Sequence, residues 1–532
     1  MPKSETARSC AFLLLLIGAW VTFCISTFIW TKQNLTPPRW DPADHLRYGL
    51  EYMTALRSLD LAAVFEQFFY TTRYYPPFYH LTIGIVASLT GASSYAGITV
   101  NLLLLAAMMY SLYSLGKKLY SEEAGLIAAI AAPSYHINAA LMHETFVDFA
   151  LVCLVAVGLY ALELTEGFKN RNASIFYGFT LALGMLCKQT YCVFLLLPTL
   201  ATAIGALRNS KTRSNLGLAI SVAAVLTATW YLPHLQEIIE IYKINRKAAI
   251  SENDPPVLSY FSNMTYIHVL ASDHLQLPAT ALFVLSTILS FIFCARRSSS
   301  LYLCILGGLT FFTLMANKDS RYTAPILPAI ALLSSWWIAK IDSEILKILL
   351  IMLICLLAGS SFAQAQWPDS SPPLQLKSTY YSWNIKAGNY LGYDGRPGKE
   401  GWAIREIIAS ILRNPASDRK FVRVGFVCNE PTFNPSAFAL YAQYQNLQNI
   451  RPKLMTEWLV TKEAQRKIRA CDYIVLREGV EYDNPIEKSY AEEVSSITNL
   501  SKIAEFDLPK GKAVVYQQPV EIERWKIGFV EQ

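Results

Sequence analysis

Charged residues are scarce in this sequence: Asp, Glu, Lys and Arg make up only 16% of its 532 residues, against about a quarter in soluble proteins. About half of the 46 basic and 40 acidic residues lie after residue 365, so the first two thirds of the chain are poorer still in charge. Hydrophobic residues reach 53% and form many runs long enough to cross a bilayer. A simple soluble enzyme, a fibrous protein and a disordered chain are therefore excluded.

Other features that would mark a particular function are also lacking. The net charge of +6 is spread over loops, so it gives no basis for a nucleic-acid partner. No internal repeat is evident, and the tail has no glycine-rich phosphate loop. The segment HETFVD departs from the HExxH zinc signature. The composition instead predicts an α-helical polytopic membrane protein with a globular tail.

Eleven apolar segments predict membrane-spanning helices, because an open strand would leave backbone groups unpaired in lipid. The first follows the basic lead MPKSETARS and is typical of an uncleaved signal-anchor. A further apolar segment, residues 78–91, is short, and we expect it to be re-entrant or half-depth. The predicted spans are residues 11–30, 95–115, 122–140, 146–165, 173–187, 189–207, 214–235, 276–294, 299–315, 321–338 and 344–364.

Basic residues occupy alternate loops, which places these loops in the cytoplasm together with the N-terminus. The protein is then a multi-pass protein of the cell (inner or plasma) membrane, with the first loop, residues 31–94, and the C-terminal tail on the outer side. The basic loop residues are Lys117/Lys118, Lys169/Arg171, Arg208/Lys211/Arg213, Arg296/Arg297 and Lys340/Lys347.

The tail, residues 365–532, begins with the linker-like segment WPDSSPP and predicts a soluble α/β domain. Cys428 and Cys471 lie in this tail and could form a disulfide outside the cell, a pairing that the sequence leaves open. The predicted strands are residues 422–427, 472–476 and 513–518, and the predicted helices are residues 402–414 and 436–446.

An acidic cluster, RWDPADHLRYGLEY (residues 39–52), follows the first predicted span. Ionisable side chains at a membrane edge are costly and are candidates for function. The spacing of its charges predicts an amphipathic helix in the membrane interface. Asp41 suits a helix cap, a catalytic base or both, and Asp44 and His45 lie beside it.

A second acidic cluster, MHETFVDF (residues 142–149), precedes another span. Glu144 and Asp148 are four residues apart, so we expect their carboxylates to project from one helix face. Such a pair holds a proton or a divalent metal ion well. The alternative is that Asp148 merely begins a helix.

Three segments on the same side of the membrane carry cations that suit a phosphate group. Any one of these cations could instead snorkel to lipid headgroups. Three of them beside two acidic clusters indicate a reaction on an amphipathic phosphorylated substrate, with a carboxylate as base. The segments are YTTRYYPPFYH (70–80) with Arg73, Tyr75 and His80, CKQT (187–190) with Lys188 and Gln189, and NKDSRYTAPILP (317–328) with Lys318, Arg321 and Tyr322.

Five motifs in order resemble the lipid-linked-sugar glycosyltransferases of the GT-C fold over residues 10–340. They are WDPADHLRYGLEY, RYYPPFYHL, HETFVDFAL, LGMLCKQTYCVFLLLP and NKDSRYTAPILPAIALL. The most similar branches are the dolichyl-phosphate-mannose protein mannosyltransferases and the bacterial aminoarabinose transferase that modifies lipid A. The resemblance implies a polyprenyl-phosphate sugar donor, a lipid, glycan or protein acceptor, an outer-face active site in residues 1–364 and inversion at the anomeric carbon. Some branches use a divalent metal ion and others do not.

By position, the resemblance makes Asp41 the catalytic base and places a second acidic position on Asp148. The family usually has an acidic residue directly after the base, where this chain has Pro42, so Asp44 could stand in. We expect these carboxylates to share one outer chamber with the donor site. The resemblance implies donor-phosphate and groove roles for Tyr75, Lys188, Gln189, Arg321 and Tyr322. Together with the charged segments above, it predicts a donor-phosphate site and a substrate groove: the phosphate site comprises Arg73, Lys188, Lys318, Arg321 and Tyr322, and the groove comprises His45, Tyr75, His80 and Gln189.

Two other classes of membrane protein are alternatives to the transferase. A lipid-linked saccharide flippase or transporter would carry its ionisable residues at mid-membrane, in broken helices related by an internal repeat. A surface-polysaccharide ligase or polymerase would carry its main cations in a late, large outer loop. The charges here lie at one membrane edge and are richest in the first loop, which favours the transferase.

Overall fold

The computed structural model describes two compact units. The first comprises Met1–Lys32, Tyr52–Leu89 and Tyr95–Arg396, and the second comprises Gln33–Glu51, Thr90–Ser94 and Pro397–Gln532. This division falls later than the predicted boundary after residue 364, and it adds part of the first loop to the tail. A separate soluble domain of residues 365–532 stays a prediction. The described residues are 2–72, 74–367, 374–377, 381–386, 396–399, 401–415, 421–447, 449–455, 468, 470–480, 485–497 and 499–518.

In the described part of the first unit, the regular structure is helical apart from one antiparallel hairpin of strands β1 (Leu374–Lys377) and β2 (Ser382–Lys386). Helix α2 begins in the second unit and continues into the first. The helices are α1 (Pro2–Gln33), α2 (Trp40–Arg57), α3 (Leu61–Tyr70), α4 (Phe78–Thr90), α5 (Ser94–Leu119), α6 (Glu122–Ser134), α7 (His136–Met142), α8 (Val147–Leu164), α9 (Arg171–Cys187), α10 (Tyr191–Ala206), α11 (Ser210–Tyr231), α12 (Leu235–Ser251), α13 (Tyr260–Val269), α14 (Gln276–Cys294), α15 (Ser299–Leu314), α16 (Leu327–Ser335) and α17 (Glu344–Gln366).

Each predicted span coincides with a helix or with a broken helix. Seven described segments are long and apolar enough to cross a membrane, and α6 with α7 adds an eighth if this pair, bent by 65°, is one span. The segment around α16 is continued by 3-10 turns at Ser320–Ile326 and Trp336–Lys340. Helices α10 and α15 are apolar but shorter. The fold class of an α-helical polytopic membrane protein is therefore confirmed, while the count of eleven crossings stays a prediction.

Helix α4 covers the short apolar segment that we expected to be re-entrant. Its 13 residues extend for about 20 Å at 1.5 Å per residue. The hydrocarbon core of a bilayer is about 30 Å thick, so α4 is too short to cross it unaided.

Predicted cytoplasmic loops meet at one end of the helical bundle. Arg8 of α1 forms ion pairs with Glu123 at the start of α6 and with Glu344 at the start of α17. Lys118, at the end of α5, lies 3.5 Å from Glu166, which follows α8. These contacts place the starts of α1, α6 and α17 and the ends of α5 and α8 on one side of the bundle.

Two further basic loops lie at the same end. The side chain of Asn215 donates to the carbonyl oxygen of Phe168 at 2.9 Å, which joins the start of α11 to the loop before α9. The hydroxyls of Tyr120 and Ser298 lie 2.6 Å apart, which brings the loop after α14 beside the end of α5. All five basic loops therefore share one end, as the alternation of charge predicted. Which side of the membrane that end faces stays a prediction.

The second unit contains a five-stranded sheet in the order β4-β3-β5-β7-β6, with β3 parallel to β4 and β5, and β7 antiparallel to β5 and β6. The predicted strands and helices of the tail are all present, together with strands and a helix that the sequence did not reveal. The elements are α18 (Ile404–Arg413), β3 (Val422–Phe426), α19 (Pro435–Tyr444), β4 (Ile450–Leu454), β5 (Tyr473–Glu478), α20 (Pro485–Ser496), β6 (Ser501–Asp507) and β7 (Lys512–Gln517).

The core of this unit follows from side-chain periodicity. Ile404, Ile407, Ile408 and Ile411 recur at helical spacing on α18 and are buried in one cluster with the sheet. Strand β5 is buried along almost its whole length, as expected for the central strand of a sheet. Cys428 is a buried free cysteine, so it forms no disulfide with Cys471.

Candidate active site

Three of the predicted site residues converge at one end of the first unit. Asp148 lies in the first turn of α8, and Lys188 follows the last residue of α9. The Lys188 ammonium lies 2.6 Å from Oδ1 of Asp148, and Nη1 of Arg321 lies 3.9 Å from Oδ2. The side chains of Asp148, Lys188 and Arg321 are only 3%, 12% and 11% exposed, respectively. This ion cluster, Asp148–Lys188–Arg321, is remote from the basic loops, because α8 extends about 24 Å from Asp148 to its other end.

A second carboxylate holds Arg321. Asp319 caps the 3-10 turn that begins at Ser320, and its Oδ2 lies 3.0 Å from Nε and 2.7 Å from Nη2 of Arg321. Burial raises the pKa of Asp319, but the charge of Arg321 and its hydrogen bonds outweigh burial and hold that pKa below its ordinary value. Sequence reasoning missed Asp319, although an acid two residues before a predicted phosphate-binding arginine is a visible signal.

Aromatic rings line the two cations. The Arg321 guanidinium carbon lies 4.4 Å from the centre of the Phe146 ring, and the Lys188 nitrogen lies 5.6 Å from that of Tyr322. Such rings attract cations without cancelling their charge. Tyr322 also donates its hydroxyl to Asn317 at 2.7 Å. The structure therefore places Tyr322 beside Lys188 of the ion cluster, and its donor-phosphate role stays a prediction.

Lys318 is engaged differently. Its ammonium donates to the carbonyl oxygens of Phe312, Thr313 and Met315 at 2.9, 2.8 and 2.6 Å, at the end of α15. A cation there satisfies carbonyls that have no partner within the helix. Burial lowers the pKa of Lys318 to about 8, against the opposing charge of Asp254. The geometry favours a helix cap, and the predicted phosphate role of Lys318 stays a prediction.

Glu144 and Asp148 do not share a helix face, which corrects the sequence interpretation. Glu144 lies in the turn between α7 and α8, and α8 begins only at Val147. The side chain of Asn101 fixes that turn by donating to the carbonyl oxygen of Glu144 at 2.8 Å, while accepting a hydrogen bond from Tyr79 at 2.9 Å.

This arrangement does not suit the divalent metal that Glu144 and Asp148 were considered to bind. Two cations already lie within 4 Å of the Asp148 carboxylate, and they repel a further positive ion. Within the part of the chain that the structure describes, no group of three or more His, Cys, Asp or Glu side chains could hold a metal ion.

The predicted groove residues occupy the ends of two helices. Tyr75 precedes α4, and its ring meets that of buried His80 edge-on at 6.1 Å. Gln189 lies in the turn between α9 and α10, where its Oε1 and the hydroxyl of Thr190 are buried without a hydrogen-bond partner among the described residues. Arg73 lies outside the described residues.

The first-loop carboxylates belong to the second unit. Helix α2 begins at Trp40, so Asp41 lies in its first turn rather than at the cap position. The Asp44 carboxylate accepts a hydrogen bond from Ser436 at 2.8 Å and lies 3.5 Å from Arg47. His45 is buried. The prediction that these carboxylates share a chamber with Arg321 concerns both units, and it stays a prediction.

Known proteins share this architecture. A family model described as dolichyl-phosphate-mannose-protein mannosyltransferase matches residues 75–233. The structure of ArnT from Cupriavidus metallidurans bound to undecaprenyl phosphate aligns with a TM-score of 0.56 at 12% identity, over 96% of this chain and 98% of that one. The oligosaccharyltransferase AglB of Archaeoglobus fulgidus, in complex with an inhibitory peptide and a dolichol-phosphate, aligns with a TM-score of 0.53 at 11% identity, over 96% of this chain and 75% of that one. No curated protein matches the chain in sequence. The predicted resemblance is thereby confirmed: this is a multi-pass membrane protein with the GT-C fold that lipid-linked-sugar glycosyltransferases adopt.

Proposed function

We propose that this protein transfers a sugar from a polyprenyl-phosphate donor to a lipid, glycan or protein acceptor at the outer face of the cell membrane. The observation that carries the proposal is the convergence of Lys188 and Arg321 on Asp148, at the end of the bundle remote from the basic loops. The polyprenyl phosphates bound to ArnT and AglB support the class of donor.

Lys188 and Arg321 would bind the donor phosphate. Both are nearly buried, and charges interact more strongly away from water. Helices α8 and α10 begin beside them, and helix N-termini favour anions. The unpartnered hydroxyl of Thr190 would donate to the phosphate, and Oε1 of Gln189 would accept from a sugar hydroxyl.

Asp148 would position these two cations rather than take a proton. Its carboxylate is already paired with both, and a paired carboxylate is a weak base. Asp319 would do the same for Arg321, so the guanidinium and the ammonium are held in place before the donor arrives. Such preorganisation lets fixed charges stabilise the charge that develops in the transition state.

The transfer step follows from these roles. The acceptor hydroxyl or amine attacks the anomeric carbon and forms the new bond, while its proton passes to the carboxylate of Asp41 or Asp44. The bond between the anomeric carbon and the phosphate oxygen breaks, and its electron pair leaves with the phosphate. Lys188 and Arg321 stabilise that added negative charge. Attack opposite the leaving phosphate inverts the anomeric carbon.

Binding of undecaprenyl phosphate to the purified full chain, measured by native mass spectrometry, tests the donor site. We expect binding by the wild type and by Arg296→Ala, at the other end of the bundle, and at least about tenfold weaker binding by Arg321→Ala. Product analysis of membranes with and without the protein then identifies the glycosylated acceptor. Equal binding by all three proteins, with no product that depends on the chain, would overturn the proposal.

A further inference from the structure

The tail and the first-loop segment that carries Asp41 and Asp44 are joined within the second unit. The backbone N–H of Gly398 donates to Oδ1 of Asn34 at 2.9 Å, and the N–H of Leu35 donates to the carbonyl oxygen of Gly398 at 2.7 Å. These bonds fix the chain on the N-terminal side of both carboxylates.

A second contact fixes the start of α2. The indole N–H of Trp40 donates to Oδ1 of Asn429 at 2.8 Å. The backbone N–H of Asn429 in turn donates to Glu487 of α20 at 3.2 Å. Trp40 is the residue directly before Asp41, so the tail contacts this part of α2 within one residue of a candidate base.

A third contact reaches a candidate carboxylate itself. The hydroxyl of Ser436 donates to Oδ2 of Asp44 at 2.8 Å. Ser436 lies in the first turn of α19, where the side chain of Asn434 accepts from the N–H of Ala437 at 2.9 Å and donates to the carbonyl oxygen of Glu430 at 2.9 Å. These hydrogen bonds hold the backbone on both sides of Ser436 and so fix the backbone position from which its hydroxyl extends.

We propose that Ser436 is a positioning residue for sugar transfer: its hydroxyl orients the Asp44 carboxylate, and the tail thereby sets the geometry of the acceptor base. This inference rests on the proposed function and goes beyond it by giving the tail a direct part in the reaction. Arg47 lies near both carboxylates of this helix: its Nε is 3.5 Å from Asp44, and its Nη1 makes the closer contact, 2.5 Å from Glu51.

The charges around Asp44 make the role measurable. Burial has the largest effect on Asp44 and raises its pKa. The charge of Arg47 and the hydrogen bond from Ser436 lower that pKa, and the charge of Asp41 raises it. Among the described residues, Glu51 of α2 also interacts with Asp44, and Arg451 of β4 interacts with Glu51. Removing the hydroxyl therefore raises the pKa of Asp44 further. A base acts only when deprotonated, so the acid limb of the rate profile moves to higher pH.

The test is the pH dependence of kcat for the full chain reconstituted in bilayers, with wild type, Ser436→Ala, Ser436→Thr and Ser495→Ala. Ser495 is a matched tail serine whose hydroxyl, among the described residues, donates to the carbonyl oxygen of Ala491 in its own helix. We expect Ser436→Ala to lose about fivefold or more in kcat, with its acid limb at higher pH and its donor KM unchanged. Ser436→Thr should return the acid limb to the pH of the wild type. Ser495→Ala should have the same kcat and the same acid limb as the wild type.

The outcomes separate the two proposals. A wild type that transfers no sugar removes the proposed function. If the wild type is active and the acid limb of Ser436→Ala does not move, the positioning role alone is overturned. A serine with only a structural role would change the amount of folded protein but not the pH of the acid limb. If Ser436→Ala does not fold, Ser436→Cys supplies the same test, since a thiol of similar size is a weak donor.

Discussion

The ammonium of Lys188 lies 2.6 Å from the carboxylate of Asp148, although 40 positions separate the two residues. Helices α8 and α9 run in opposite directions, so the start of one meets the end of the other. Both side chains are largely withdrawn from solvent. Removing two charges from water is costly, and their attraction offsets that cost only while both are present. The pair is therefore a sensitive point for both folding and function.

Neutralising one member of this pair should damage the protein in two ways. Asp148→Asn leaves Lys188 as a buried charge without its partner, and we expect a loss of about 3 kcal/mol in stability. The Tm of the purified protein in detergent measures this change. Donor binding should also weaken, because the two cations are no longer held together.

Replacing both members separates the two effects. Asp148→Leu with Lys188→Met removes the buried charges together, so stability should return towards that of the wild type. Donor binding should stay weak, because the ammonium that would contact the phosphate is absent. A double variant that regains both stability and donor binding would contradict the phosphate role of Lys188.

Arg321→Lys tests geometry at constant charge. Lysine cannot reproduce the fork with which Arg321 meets Asp319 and would meet a phosphate. We expect donor KM to rise about tenfold, with the KM for acceptor changed much less. Arg296→Lys, in a basic loop at the other end of the bundle, is the control and should change neither constant.

Hydropathy was sufficient to predict the helical bundle. Apolar runs and alternating basic loops reflect the membrane environment rather than contacts between distant residues, so they can be recognised in the sequence. Every predicted span contains a helix. The broken helix α6–α7, bent by 65°, was not foreseen. The break falls at Tyr135, where the backbone is extended, two residues after Pro133 of α6, and a proline in the sequence does not by itself give the size of a bend.

The site was predictable only in part. Asp148, Lys188 and Arg321, which the structure brings together, were candidates from the sequence because charge at a membrane edge is costly and stands out; their roles stay predictions. The relation between Glu144 and Asp148 was wrong, because their spacing does not reveal that α8 starts between them. The contact of Ser436 with Asp44 joins residues 392 positions apart, and no local pattern predicts it.

Titration of Lys318 should make folding more favourable as pH rises. Its folded pKa of about 8 lies below the ordinary value of 10.5 because burial disfavours the charge. Between these two values the unfolded chain binds a proton that the folded chain does not, so folding becomes more favourable as pH rises through that range. We therefore expect the Tm of the wild type, relative to that of Lys318→Met, to increase over this window.

Comparing the two proteins at each pH cancels the titration of the other groups. Below about pH 8 the difference in Tm should be flat, because Lys318 is protonated in both states. Donor KM should be the same for both proteins if Lys318 is a helix cap. A large rise in the donor KM of Lys318→Met would instead restore its predicted phosphate role.

The two ends of the bundle give a test of orientation. Lys211 is exposed in the first turn of α11, and Gln236 is exposed just after the other end of that helix. Single cysteines at these positions, in a chain whose native cysteines are replaced by serine, can be labelled with a thiol reagent that does not cross membranes. By the positive-inside rule we expect Gln236→Cys to react in intact cells and Lys211→Cys only after permeabilisation. The reverse pattern would place the ion cluster on the cytoplasmic side, where an outer-face transfer reaction is impossible. Reaction of both in intact cells would mean that α11 does not cross the membrane, and the shared end of the five basic loops would then need another cause.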